Sequence, residues 1–343
     1  MEDAIGTTGL SRRALLAGMA ATPALTAAAA PAAAQPLNCY ATTEAAEARC
    51  RAALKGARGT KLVLLGTGAG PVPGRTRRMT AHVMLHNGVA YVVDCGLGVT
   101  NQFARTGIPF GAVRDIYITH HHPDHNIEYG PFLVIGWIQG MRPSLMHAFG
   151  PPPLTEMTRD YLRSAKVTID FWAEDLRMNP LIGIDVHDLP TEGPVMRDEN
   201  VTVTAVLVQH PPVKPAYGYR FDFTDRSIAF SGDTVPLEAV ARMARGADVL
   251  VHEAMYLPGL EAYIRGQIAK GRPVSFDAFM AHMKADHSPV EAVGRIAQEA
   301  GVKTLVLSHL TPAIDSISDA AWRAPAAAHF KGEIVVGHDL MVI

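Results

Sequence analysis

The chain has 343 residues, 48% of them hydrophobic, with 31 basic and 33 acidic side chains. That apolar content is far above what leaves a chain disordered and suffices for one large core. A formal net charge of −2 excludes a general electrostatic attraction to nucleic acid or to an anionic membrane.

The N-terminus reads separately from the remainder. Ser11-Arg12-Arg13-Ala14-Leu15-Leu16 is a twin-arginine pattern, an alanine-rich apolar stretch follows, and Ala32-Ala33-Ala34 offers a small-residue cleavage site. Residues 1–34 are therefore expected to be a cleaved Tat-type export signal, giving a periplasmic or secreted protein. Pro23 interrupts the stretch, which argues against a stable membrane span. In residues 35–60, Cys39 and Cys50 flank a short helical segment and are a candidate disulfide in an oxidising compartment. Cys95 ends an apolar run and reads as a buried thiol.

From residue 61 onward, strand-like runs alternate with helical ones. Residues 61–65 run into the glycine loop Gly66-Thr67-Gly68-Ala69-Gly70, and residues 81–85 and 89–93 form a hairpin about Asn87-Gly88. A β-branched strand at 116–119 leads directly into His120-His121-His122-Pro123-Asp124-His125. Residues 127–198 mix helical and loop signals and are expected to overhang the site as an insertion. Their aromatics Phe132, Trp137, Phe149, Phe171 and Trp172 either wall a substrate pocket or pack in the core. Strand patterns resume at 201–208, 217–223, 227–230, 249–251, 304–307 and 333–336, with helical periodicity clearest over 289–300. Asp94, His120, His210, Asp233, His252 and His309 all fall where strands end, so one sheet rim should gather them.

His120, His122, Asp124 and His125 fit the pattern His-x-His-x-Asp-His, a nitrogen and oxygen donor set suited to a borderline ion such as zinc. One ion could take the alternating histidines and a second the Asp-His pair. With His210, with Asp233 in Ser231-Gly232-Asp233-Thr234, and with His309, the chain resembles the metallo-β-lactamase superfamily from about residue 61 to the C-terminus. The resemblance implies an α/β fold, a four-layer αββα sandwich, over a catalytic domain at 61–343. It also implies two Zn²⁺ ions, with Mn²⁺ or Fe²⁺ able to use the same ligands. His120, His122 and His210 would hold the first metal, Asp124, His125 and His309 the second, and Asp233 would bridge them.

The branch can be narrowed. Gly150-Pro151-Pro152, Gly218-Tyr219-Arg220, His252-Glu253-Ala254 and Asp286-His287-Ser288 look like tRNase Z and its arylsulfatase-like relatives. By that resemblance His287 is the general acid, oriented by Glu253, and Asp124 counts with them among the catalytic residues. In tRNase Z a tRNA-gripping arm lies between the third histidine motif and the bridging aspartate. Here His210 and Asp233 are only 23 positions apart, an interval consumed by two strands and a turn. Leu310-Thr311-Pro312-Ala313 also replaces the usual stretch after the last ligand. The resulting expectation is an exported hydrolase that cleaves an ester of a small organic molecule, aryl sulfate first, by attack of a metal-activated hydroxide, with no nucleic-acid partner. Phosphodiester and carboxylic ester or lactone hydrolysis are the alternatives within the fold, and a non-catalytic metal- or ligand-binding protein is the alternative outside it. A homodimer is compatible with either. Arg75, Arg77 and Arg78 are either an oxyanion clamp or an exposed loop.

Overall fold

Alternating apolar strands and amphipathic helices assemble here into two face-to-face sheets covered on both outer sides. The computed structural model describes residues 39–343 apart from Arg75, Asn179, Pro180 and Ile182, so the twin-arginine segment lies outside the described residues. Helix α1 (Cys39–Leu54) precedes β1 (Thr60–Gly66), β2 (Ala81–His86), β3 (Val89–Val93), α2 (Val99–Thr106), β4 (Val113–Tyr117), α3 (Pro123–Asn126) and α4 (Tyr129–Ile138). Then come β5 (His147–Gly150), α5 (Leu154–Ser164), α6 (Lys166–Asp175), β6 (Asp185–Asp188) and β7 (Gly193–Arg197). The second half runs β8 (Val201–His210), β9 (Val213–Phe223), β10 (Ser227–Phe230), α7 (Glu238–Met243), β11 (Val249–Met255), α8 (Leu257–Ala269) and α9 (Phe276–Asp286). It closes with α10 (Val290–Ala300), β12 (Thr304–Thr311), α11 (Asp319–Ala327), β13 (Glu333–Val336) and β14 (Met341–Val342).

The first sheet has the order β14-β1-β2-β3-β4-β5-β6 and the second β13-β12-β11-β10-β9-β8-β7. Between them lies an aromatic core that includes Tyr91, Tyr117, Phe149, Tyr219, Phe221 and Phe230. Each outer face has its own apolar layer under helices, one around Phe103 and Phe132 and the other around Val293, Ile296 and Trp322. Helix α10 shows why: Val290, Val293, Ile296, Ala297 and Ala300 share its buried face, and Gly301 in the left-handed region ends it. The Asn87-Gly88 turn has positive φ at both residues (49° and 90°), the backbone a two-residue hairpin requires. The expected four-layer αββα sandwich is therefore the observed architecture.

Three readings need adjustment. Strand β4 ends at Tyr117, so the histidine cluster is delivered by an extended loop after the strand and not by the strand itself. Residues 127–198 are largely part of the sandwich, because they supply β5 and β6 to one sheet and β7 to the other. Phe132, Trp137 and Phe149 are accordingly buried, Trp172 is half-buried, and only Phe171 of that group is exposed. Cys39 and Cys50 sit in the same helix, α1, where eleven positions separate their Cα atoms by about 16 Å. A disulfide needs less than about 7 Å, so the two cannot pair within the chain. Cys50 is a free buried thiol, pushed up to about 11 chiefly by burial, and Cys95 is free and buried as read. Among the described residues no helix is long and apolar enough to cross a membrane.

Candidate metal centre

The loops leaving β4 and β10, the last residue of β8 and a bulge within β12 bring the seven expected ligands together. His120, His122, His210 and Asp233 each offer a donor atom within 4.8 Å of the others, and so do Asp124, His125 and His309. Asp233 joins the two groups. Its Oδ2 lies 3.9 Å from His120 Nε2 and 3.8 Å from His210 Nε2 on one side, and 3.3 Å from His125 Nε2 and 3.1 Å from His309 Nε2 on the other. His122 turns its Nδ1 inward, 3.1 Å from His120 Nε2 and 3.0 Å from His210 Nε2. Donors held about 2.1 Å from a tetrahedral ion are about 3.4 Å apart, so these spacings fit a caged metal. Buried His125 Nε2 and Asp233 Oδ1 have no hydrogen-bond partner. Unpaired polar atoms in such a setting carry a large penalty unless a cation completes them.

Local backbone features place these side chains. The register between β11 and β12 slips after Glu253, which pairs with Ser308, while Ala254 pairs with Leu310. His309 is the extra residue of that bulge, with φ of 42°, and the bulge aims its ring into the centre. Gly70 can approach only because it lacks a side chain: an added Cβ would lie 2.2 Å from the Asp124 Cβ. Its N–H donates to Asp124 Oδ2 at 2.7 Å. Gly232, at φ 61°, supplies the left-handed turn that presents Asp233.

A second ring of bonds fixes which nitrogen each imidazole presents. His125 Nδ1 donates to Asp94 Oδ2 at 2.8 Å, and Asp94 in turn accepts from the Thr119 N–H and hydroxyl. His120 Nδ1 reaches the same Thr119 hydroxyl at 3.1 Å, and His210 Nδ1 donates to the Asp286 carbonyl at 2.8 Å. With Nδ1 occupied, Nε2 is left for a metal in all three. Burial favours a neutral Asp233 carboxyl, but the charges of His309 and His125 outweigh it and hold the group well below its ordinary value. Burial, then the like charge of His125, pushes His120 well below its ordinary value. Burial opposes a charge on His125, but the Asp233 and Asp94 carboxylates outweigh it and raise that ring well above its ordinary value, so a metal bound there would displace its Nε2 proton.

Beside the cage stands His287, with its Nδ1 donating to Glu253 Oε2 at 2.9 Å and one ring nitrogen within 4.8 Å of donor atoms on Asp233 and His309. Burial opposes its charge, but the Glu253 carboxylate prevails and raises its pKa to about 9. Glu253 is fixed by the Thr234 N–H at 2.6 Å. His252 does not face the cage as a ligand; its Nδ1 donates to the Glu253 carbonyl at 2.7 Å.

Two residues at the site went unassigned from sequence. Asp94 stood out only as a strand-end carboxylate, and its φ of 61° marks the backbone bend that turns it under His125. His82, on the interior face of β2, stacks on Phe230 at 5.5 Å beneath the centre. Burial, with the like charges of His125 and His309, lowers its pKa to about 3, so it is a neutral ring beneath the ligand cluster. A histidine inside the apolar run of β2 was the available signal. Arg77 does not face the rim: its Nη1 donates to Thr67 Oγ1 (2.7 Å) and to the Gly337 carbonyl (2.5 Å), which pins the glycine loop to the C-terminal segment.

Comparison with known proteins extends the picture. Residues 90–310 match the family described as a beta-lactamase superfamily domain. The ribonuclease Z of Mycobacterium bovis is 33% identical over 285 residues, covering 82% of this chain and 96% of that protein. Among solved structures, the metallo-beta-lactamase fold protein YhfI of Bacillus subtilis superposes with a TM-score of 0.61 at 18% identity, over 83% of this chain and 98% of its own. Human tRNase Z, short form, gives a TM-score of 0.60 at 23% identity, over 82% and 98%.

Proposed function

The chain belongs to the metallo-β-lactamase superfamily, in the branch that includes ribonuclease Z, and from that premise we propose that it hydrolyses phosphodiester bonds in RNA, with transfer RNA as the first substrate class. This corrects the expectation of an aryl sulfate hydrolase that takes a small-molecule ester and no nucleic acid. The finding against it is the run of ribonuclease Z relatives at 31–33% identity, aligned over about 285 residues. The short interval before Asp233 points to a missing tRNA grip. Strands β9 and β10 do consume the interval from His210 to Asp233, with only Pro211-Pro212 between β8 and β9. A missing grip weakens substrate binding, however, and leaves the bond-breaking groups untouched.

The coarse activity is a metal-dependent hydrolysis at a dinuclear centre, and zinc is the proposed metal because imidazole and carboxylate donors suit it. His120, His122 and His210 would hold one ion, Asp124, His125 and His309 the other, with Asp233 between them. When bound, the pair supplies Lewis acidity that makes water a nucleophile near neutral pH and offsets developing negative charge.

The observation that carries the phosphodiester reading is the His287–Glu253 pair. A ribose oxygen leaves poorly as an alkoxide and needs a proton, whereas an aryl ester departs as a stabilised phenolate. A buried imidazolium steadied by a carboxylate is the group for the first task. Nearby cations would draw its pKa back toward neutrality, where proton donation is most effective. Glu253 keeps Nδ1 protonated and holds the ring beside the cage. The experiment is to offer zinc-loaded protein a 3′-extended transfer RNA precursor alongside p-nitrophenyl sulfate. Chelator-sensitive cleavage of the RNA, with a high KM and negligible sulfate turnover, is expected. Intact RNA with both metals bound would overturn the reading.

A further inference from the structure

A second histidine–aspartate cluster lies away from the rim. Strands β4, β5 and β6 are parallel, and their registers align Tyr91 with Asp115, Asp115 with His147, and His147 with Asp185 in one row. The next row on the same face is Val93, Tyr117, Phe149 and His187. Tyr117 and Phe149 belong to the core between the sheets, and side chains two apart on a strand share a face. His147, Asp185 and His187 therefore point to the interior side of the sheet. Strand β6 is its last strand, so the interior opens to water there, and their side chains are 40%, 60% and 41% exposed.

Apolar side chains are the ordinary occupants of an interior face, and here three metal-ligating ones converge. Asp185 Oδ2 lies 3.5 Å from His147 Nδ1 and 3.1 Å from His187 Nε2, and a donor from each residue is within 4.8 Å of the others. Those separations bracket the roughly 3.4 Å edge of a tetrahedral zinc site. The rings are already oriented. His187 stacks on Phe149 at 4.7 Å and 11°, and His147 stacks on the same ring at 6.0 Å and 19°. Further along the row, buried Asp115 has an Oδ1 with no hydrogen-bond partner, which adds an unsatisfied acceptor behind the pair.

We propose that His147, Asp185 and His187 bind one borderline transition-metal ion, zinc being the probe, at a site separate from the catalytic pair. Two imidazoles and one carboxylate select zinc, copper or nickel over the hard ions magnesium and calcium, which take oxygen donors. Water fills the remaining position, because the cluster faces solvent. The ion bridges β5 to the edge strand β6, just before the chain crosses from one sheet to the other.

Equilibrium dialysis of the full chain against micromolar zinc, with metal counted per protein, tests this. Three equivalents are expected in the unchanged protein and two in both Asp185→Asn and His187→Ala, with RNA cleavage unaltered by either substitution. Crystals soaked in zinc should show anomalous scattering between the three side chains. Two equivalents in the unchanged protein, or three retained in both variants, would overturn the proposal.

Discussion

The two histidine–aspartate clusters use the same side chains and differ in what stands behind them. At the rim the rings of His120, His125 and His210 are each tied through Nδ1 to a hydroxyl, a carboxylate or a carbonyl, and the Asp94 and Asp124 carboxylates are themselves held by backbone N–H groups. At the β5–β6 edge, among the described residues, the rings rest on Phe149 and on each other, and Asp185 is the one carboxylate beside them. The rim is buried and the edge is half open. A site that must hold its geometry through a reaction needs outer supports, whereas one that only captures an ion does not.

Removing the shared carboxylate should give the largest effect. In Asp233→Ala both buried positions are expected to lose zinc and cleavage to fall to background, while the edge site keeps its ion; full rim occupancy and turnover would contradict the bridging role. Next comes His287→Ala, which should retain metals and slow substrates with alkoxide leaving groups by about 10²–10⁴-fold. Substrates with phenolate leaving groups should lose much less. The sign in pH follows from the raised pKa: His287 donates only when protonated, so the rate should fall as pH rises through that pKa, and the variant should lack this alkaline limb. A uniform loss over leaving groups, or an unchanged limb, argues against proton donation.

Asp94→Asn makes the rim more like the edge, since it weakens the support behind His125. Metal affinity at the Asp124, His125 and His309 position should drop about 10–100-fold by competition with a chelator. The smallest effect on activity is expected at Asp115. Burial, opposed by the Tyr117 hydrogen bond and by Arg114, raises this carboxyl to about 7. Its folded pKa thus exceeds its unfolded value. The associated stability is complete below about pH 4 and is lost as pH rises through about 7. Asp115→Asn should abolish that slope, a change of a few kcal/mol in urea titrations at neutral against acid pH, with cleavage unchanged.

Much of the rim was legible because its ligands follow strand ends at motif spacing: His120 to His125, His210, Asp233 and His309. The Asn87-Gly88 hairpin was equally clear. The edge cluster was not, since β5 and β6 have only four residues each, too few for period-two alternation to emerge from a segment that reads as an insertion. Asp94, His82 and the carbonyl of Asp286 act through backbone bends and long-range packing that spacing does not encode. The substrate is not legible from that interval, because the short stretch before Asp233 bears on RNA binding while the leaving-group chemistry resides in His287 and Glu253.

Anomalous diffraction from crystals grown with zinc examines the paired-metal centre most directly. Two peaks about 3.5–4 Å apart, with the Asp233 carboxylate between them, are expected at the rim. A single rim peak, or two with Asp233 turned away from one of them, would contradict it.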